Sequence, residues 1–169
     1  MNDQSGEAIV LMGPFGSGKS FLGRQLREAG LADYVEMEPI VYARFANGDD
    51  FDVEGATAFL RQTYWEQINN QTQVVALEST GVVQRPLLEA LQAAFAVRLI
   101  WVRTPKAVCL ERVAQRNLQA ERPITPENAE QFYDFWTNDI APSYAFALEV
   151  DGTHAPTAIQ AIQQLLNKS

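Results

Sequence analysis

The chain contains one cysteine, one histidine and no long apolar run. Each scarcity excludes something. A lone Cys109 rules out an internal disulfide, and with only His154 beside it no Cys/His cluster points to zinc. The apolar stretch Ala8–Met12 is far shorter than the roughly 20 residues that a membrane-spanning helix needs. An acidic rather than basic segment precedes it, which is not a signal-peptide pattern. A soluble protein of the reducing cytoplasm, with no membrane partner, is expected. Basic residues are also few, 13 Lys and Arg against 21 Asp and Glu, for a net charge of −8. That balance argues against a broad electrostatic grip on nucleic acid. Internal repeats, low-complexity tracts and interdomain linkers are absent, and nothing in the sequence specifies an oligomeric state.

What remains is a chain of 169 residues, 47% apolar, suited to one domain with a proper core. Five short apolar runs read as buried strands: Glu7–Met12, Tyr34–Met37, Gln73–Leu77, Val97–Val102 and Ala147–Val150. Runs apolar on both faces fit a parallel sheet covered on both sides. Helical patterns separate them, over Lys19–Ala29, Glu54–Asn69, Gln84–Phe95, Lys106–Arg116, Pro126–Ile140 and Pro156–Leu166. The first carries Phe21, Leu22 and Leu26 on one face. The fifth has Thr125 as its cap and Pro126 in its first turn. Strand and helix alternating to the end predicts right-handed crossovers and a three-layer α/β fold. Two polar segments, Ala43–Asp52 and Asn117–Thr125, belong at or beyond the C-terminal ends of strands, where such sheets bind ligands.

One motif is highly specific. Gly13-Pro14-Phe15-Gly16-Ser17-Gly18-Lys19-Ser20 matches G-x-x-x-x-G-K-[ST] at every fixed position, between an apolar strand and an amphipathic helix. Glycines let the backbone aim its N–H groups at an anion, and the helix N-terminus adds partial positive charge. Lys19 is expected to bridge the β- and γ-phosphates of a nucleoside triphosphate, and Ser20 to ligate magnesium. The absence of an N-K-x-D element favours ATP over GTP. Arg85 and Arg44 are candidates to meet an anionic or polyhydroxyl acceptor, or are plain surface charges. Trp136, among Phe132, Tyr133 and Phe135, is expected to pack against the sheet, and Cys109 to be buried filler.

With the phosphate loop near its start and a short α/β chain behind it, the sequence resembles the P-loop kinases of small molecules. These include nucleoside monophosphate, shikimate and gluconate kinases. The resemblance implies a five-stranded parallel sheet in the order 2-3-1-4-5. It implies an acidic pair at the end of the second strand, here Glu36 and Glu38, one of which would accept the proton of an acceptor hydroxyl or hold a magnesium-bound water. Shikimate kinases have aspartates at that place. It implies a Walker-B-like Glu78 that supports the metal, followed by Ser79, Thr80 and Gly81 at the substrate. A strand-ending turn that caps the next helix would account for Ser79 and Thr80 equally. It further implies a lid around residues 117–125. Arg112 would serve the nucleotide, Arg116 and Arg122 the transferring phosphoryl group, as guanidinium geometry suits. The turn Asp151-Gly152-Thr153 would lie against adenine. The activity so implied is ATP- and Mg²⁺-dependent transfer to a small-molecule hydroxyl or phosphate. The alternative is a P-loop NTPase that works as a switch or partner-binding module; a kinase of nucleic-acid ends fits the acidic balance poorly.

Overall fold

A computed structural model of the chain describes residues 6–36, 53–70, 74–82, 85–120 and 123–168. Five parallel strands form one sheet: β1 (Glu7–Met12), β2 (Asp33–Tyr34), β3 (Val75–Ser79), β4 (Ala96–Arg103) and β5 (Leu148–Asp151). Their order is β2-β3-β1-β4-β5, as the resemblance implies. Helices α1 (Lys19–Glu28), α2 (Val53–Asn70), α3 (Arg85–Ala94), α4 (Lys106–Asn117), α5 (Pro126–Phe135) and α6 (Ala155–Leu166) connect or follow them.

The central strand β1 shows why its sequence is apolar from Ala8 to Met12. Ala8, Val10 and Met12 face one layer, with Tyr64 and Ile68 of α2, Leu87, Leu88 and Leu91 of α3, and Trp136. Ile9 and Leu11 face the other, with Leu22 and Leu26 of α1 and Ala158 and Ile162 of α6. Alternate side chains of a strand point to opposite faces, so a strand covered on both sides has no position for a polar residue. Trp136 is fully buried among Trp101, Phe146 and their neighbours, as its composition predicts.

Four details differ from the sequence expectation. Strand β3 runs two residues further, because Glu78 and Ser79 pair in register with Leu11 and Met12 of β1. Strand β2 is shorter than Tyr34–Met37: only Asp33 and Tyr34 pair with β3, and Glu36 lies beyond the strand. The alternation argument that would set Glu36 and Glu38 on one side therefore does not apply, and Glu38 lies outside the described residues. The helix expected over 126–140 starts as predicted, with the Thr125 hydroxyl accepting from the Asn128 N–H at 3.2 Å. It then widens to a π-helical turn at Trp136–Ile140 and tightens to a 3₁₀ turn at Ala141–Ser143. Finally, Phe21 is 52% exposed while Leu22 and Leu26 are buried, so the apolar face of α1 is narrower than its sequence reads.

Gly23 lies where α1 crosses β2. A Cβ there would come within 2.3 Å of the Tyr34 ring, and Tyr34 is only 5% exposed. In an open helix Gly→Ala gains about 1 kcal/mol; here the overpacking cost of about 1–3 kcal/mol opposes it. Gly23→Ala should therefore fail to stabilise and should instead lower the urea midpoint. A raised midpoint would show that the Tyr34 ring yields freely.

Candidate nucleotide and metal site

The phosphate loop joins β1 to α1. Gly18 is the N-cap of α1 with φ of 97°, and no side chain caps the helix. A left-handed conformation suits glycine, and the uncapped first-turn N–H groups are left for an anion. The loop's carbonyls point the other way and find donors within the protein. Lys19 Nζ donates to the carbonyls of Gly13 and Pro14, both at 2.9 Å. The Thr104 hydroxyl donates to the Ser17 carbonyl at 2.8 Å. Arg112 Nη1 donates to the Gly16 carbonyl and its Nη2 to the Gly152 carbonyl, both at 3.2 Å. Arg112 thus ties the phosphate loop to the turn after β5.

Thr104, just past β4, is 2% exposed and joins three elements. Besides Ser17, its carbonyl accepts from the Tyr133 hydroxyl of α5 at 2.9 Å and from the Cys109 thiol of α4 at 3.7 Å. Phe15 of the loop stacks on Phe132 of α5, ring centroids 4.3 Å apart. Lys106 pairs with Glu130 and Asp134, each at 2.8 Å, so α4 and α5 are also held at their surface. Sequence reading did not find Thr104, Tyr133 or the Phe15–Phe132 stack. A polar residue directly after an apolar strand was the one available signal.

On the opposite side of Lys19, the Ser20 hydroxyl donates to Glu78 Oε2 at 2.7 Å. These two residues are 58 positions apart, and the β1–β3 register brings them together. Tyr34 and Tyr64 lie close to the same carboxylate. Burial, reinforced by the Glu78 charge, holds both phenols well above their ordinary range. An alcohol and a carboxylate are hard oxygen ligands. One or two such groups, with phosphate oxygens and water, make up a typical magnesium site.

The turn after β3 is pinned from the far side. Ser79 is buried, and its hydroxyl accepts from the Gly81 N–H at 2.9 Å, so that oxygen faces its own turn. The Thr80 carbonyl accepts from Trp136 Nε1 at 2.7 Å, and the Gly81 carbonyl from the Tyr144 hydroxyl at 2.6 Å. Arg85 bonds the carbonyl and hydroxyl of Ser143 and stacks over Tyr144 at 4.2 Å. Glu36 is exposed and pairs with Arg24 at 3.4 Å, and Arg116 is exposed on α4. Arg44 and Arg122 lie outside the described residues. A cleft of about 540 Å³ borders Thr104, Tyr133, Asp151 and Thr153 at the β4–β5 edge; no phosphate-loop residue lines it.

The fold and site define a P-loop nucleotide-binding protein with the architecture of small-molecule kinases. A family model described as an AAA domain matches residues 9–133, and the chain belongs to that family. The chain is 36% identical over 78 residues to a shikimate kinase of Actinobacillus pleuropneumoniae, an alignment covering 43% of this chain and 44% of that protein. It spans about half the length of the curated relatives it matches. Its fold matches a shikimate kinase from Acinetobacter baumannii in complex with shikimate, with a TM-score of 0.67 at 20% identity over 96% of this chain and 93% of that one. It also matches a deoxyadenosine kinase from M. mycoides with bound dATP, with a TM-score of 0.62 at 16% identity over 95% and 99%.

Cys109 is buried directly beneath the loop, and burial pushes its thiol up to about 11 from an ordinary 9.0. A raised acid pKa means the folded state holds the proton more tightly. Its contribution to stability is full below pH 9 and is lost as pH rises from 9 towards 11. At pH 8 Cys109 should resist a thiol-specific chromogenic disulfide in the native protein and react within seconds in denaturant. Rapid native labelling would contradict the packing beneath the loop.

Proposed function

We propose that the protein is an ATP-dependent phosphotransferase that moves the γ-phosphoryl group to a small-molecule hydroxyl, with a phosphate acceptor as the variant of the same chemistry. The observation that carries this reading is the Ser20–Glu78 hydrogen bond beside Lys19 and the uncapped start of α1. It sets two hard oxygen groups next to the uncapped helix start, which supports a cation and a phosphate bound side by side. The shikimate kinase and deoxyadenosine kinase likenesses support an acceptor of small-molecule size.

Mg²⁺, held by Ser20 and Glu78, would neutralise phosphate charge as transfer proceeds. Lys19 would leave the carbonyls of Gly13 and Pro14 for the β- and γ-phosphates, a charge-assisted bond replacing two neutral acceptors. Arg112, next to Gly16 and Gly152, would lie along the nucleoside. Arg116 and Arg122 would clamp the phosphates from a lid around residues 117–125. The Asn117 side chain already spans that segment, bonding the N–H and carbonyl of Ile124 at 3.0 and 2.5 Å. Glu36 or Glu38 would take the proton of the attacking hydroxyl, and Arg44, Ser79, Thr80, Gly81 and Arg85 would bound the acceptor. Closure excludes water, which keeps transfer ahead of hydrolysis. The reading includes a cytoplasmic setting, where the buried Cys109 would stay a free thiol.

Incubation with γ-labelled ATP, Mg²⁺ and panels of sugars, cyclic hydroxy acids, nucleosides and nucleotides should label one acceptor class. Lys19→Ala should lower that transfer about 10²–10³-fold, the usual loss when one stabilising group at a developing charge is removed. Release of free phosphate with no labelled acceptor in any panel would favour the switch-type NTPase instead.

A further inference from the structure

The Tyr34 hydroxyl is buried and has no hydrogen-bond partner of normal geometry. Its residue is only 5% exposed. Its ring is fixed against Gly23 of α1, where no side chain intervenes. Tyr34 pairs with Ala76 of β3, so Glu78, two residues further along that strand, points to the same face of the sheet, and Gly23 lies about one helical turn beyond Ser20; the phenol therefore lies beside the pair just described, where the Glu78 charge acts on it. An alcohol removed from water and left without a partner is uncommon in a folded protein, and each such group calls for a cause. Here it lies on the face of the sheet that also carries Glu78, the carboxylate expected to hold the cation.

We propose that Tyr34 is a positioning residue for the metal site. When Ser20 Oγ turns its lone pair to the cation, the Tyr34 O–H donates to the Glu78 carboxylate and fixes its orientation. Among the described hydrogen bonds, Glu78 Oε2 accepts from the Ser20 hydroxyl at 2.7 Å. A carboxylate accepts several bonds, so its remaining lone pairs are open to the phenol. Groups that orient a ligand in this way typically contribute 10–100-fold to metal affinity. No covalent step is involved.

The inference rests on the phosphotransfer reading, since it needs a cation at Ser20 and Glu78. The test is Tyr34→Phe, which keeps the ring on Gly23 and removes one oxygen. Mg²⁺ is titrated into the full chain saturated with ADP, and binding is read both by calorimetry and by the Mg²⁺-induced rise in Tm. The variant without Mg²⁺ should melt at or above the wild-type temperature, because an unpartnered buried hydroxyl is gone. Its Mg²⁺ affinity should fall about tenfold, with ADP affinity in EDTA unchanged. In a Glu78→Gln background the same substitution should have no further effect on Mg²⁺, because the phenol acts through that carboxylate. Mg²⁺ affinity within twofold of wild type, or an equal loss in both backgrounds, would overturn the proposal while leaving phosphotransfer intact. Should Tyr34→Phe alone fold poorly, the hydroxyl would be a structural group and the proposal would likewise fail. A wild-type protein that binds neither ADP nor Mg²⁺ would remove both readings together.

Discussion

A backbone loop that turns its N–H groups towards an anion must turn its carbonyls away from it, and those carbonyls still need donors. Much of the surrounding structure is a response to that requirement. The carbonyls of Gly13 and Pro14 are served by Lys19, that of Gly16 by Arg112, that of Ser17 by Thr104, and that of Gly18 by the Leu22 amide at 2.9 Å. Three of these donors come from different places: the loop itself, the residue after β4, and the middle of α4. Satisfying the loop therefore fixes β4, α4 and the β5 turn relative to it. Arg112 does this with one planar group, since its two nitrogens reach both Gly16 and Gly152, a geometry that a lysine could not reproduce.

The same requirement explains why Lys19 is partly committed in the present arrangement. Its ammonium rests on neutral carbonyls inside the loop, so its charge is held in place before any phosphate arrives. Phosphate oxygens are stronger partners for an ammonium than amide carbonyls, so the exchange runs towards the nucleotide. The Ser20 hydroxyl and the Glu78 carboxylate are held in a similar way by the hydrogen bond between them. Pre-arranged groups of this kind cost little reorganisation when the charged ligand enters.

How much of this was legible in the sequence depends on the range of each interaction. The phosphate loop is local: eight consecutive residues between a strand and a helix, so the motif and its context are read together. Strand order follows from likeness to other proteins, not from the apolar runs, which are interchangeable by composition. The end of β3 was misjudged by two residues because Glu78 and Ser79 are polar, yet the parallel register with Leu11 and Met12 carries the strand through them. Thr104 and Tyr34 were invisible for a related reason. Each matters through atoms far away in sequence, 87 positions in the case of Thr104 and Ser17. A threonine after a strand or a tyrosine in one carries no periodic mark of that. Likewise, the widening of the helix at Trp136 is imposed by burying the indole while its Nε1 reaches the Thr80 carbonyl, a tertiary demand that helical spacing does not express.

The two halves of the site are also built from different materials. The phosphate half is mostly backbone, held by donors to loop carbonyls, so its shape survives extensive side-chain change. The wall after β3 is held by side chains reaching backbone: Trp136 to Thr80, Tyr144 to Gly81, and Arg85 across Tyr144 to Ser143. Each of those anchors sets the position of one residue in the turn that follows β3. Changing an anchor acts first on the wall and reaches the loop through the Ser20–Glu78 bond and the Phe15–Phe132 stack. That difference in materials lets one fold keep its nucleotide cradle while the opposite wall is refitted. It accords with a fold shared, at 20% identity or less, with a shikimate-bound kinase and with a deoxyadenosine kinase. In this chain the wall is aromatic and carries one guanidinium. Its shape is set by three large rings, with Phe146 centred 6.4 Å from Trp136 and 6.2 Å from Tyr144. Rings so packed have little rotamer freedom, so the wall holds one shape and does not readily yield.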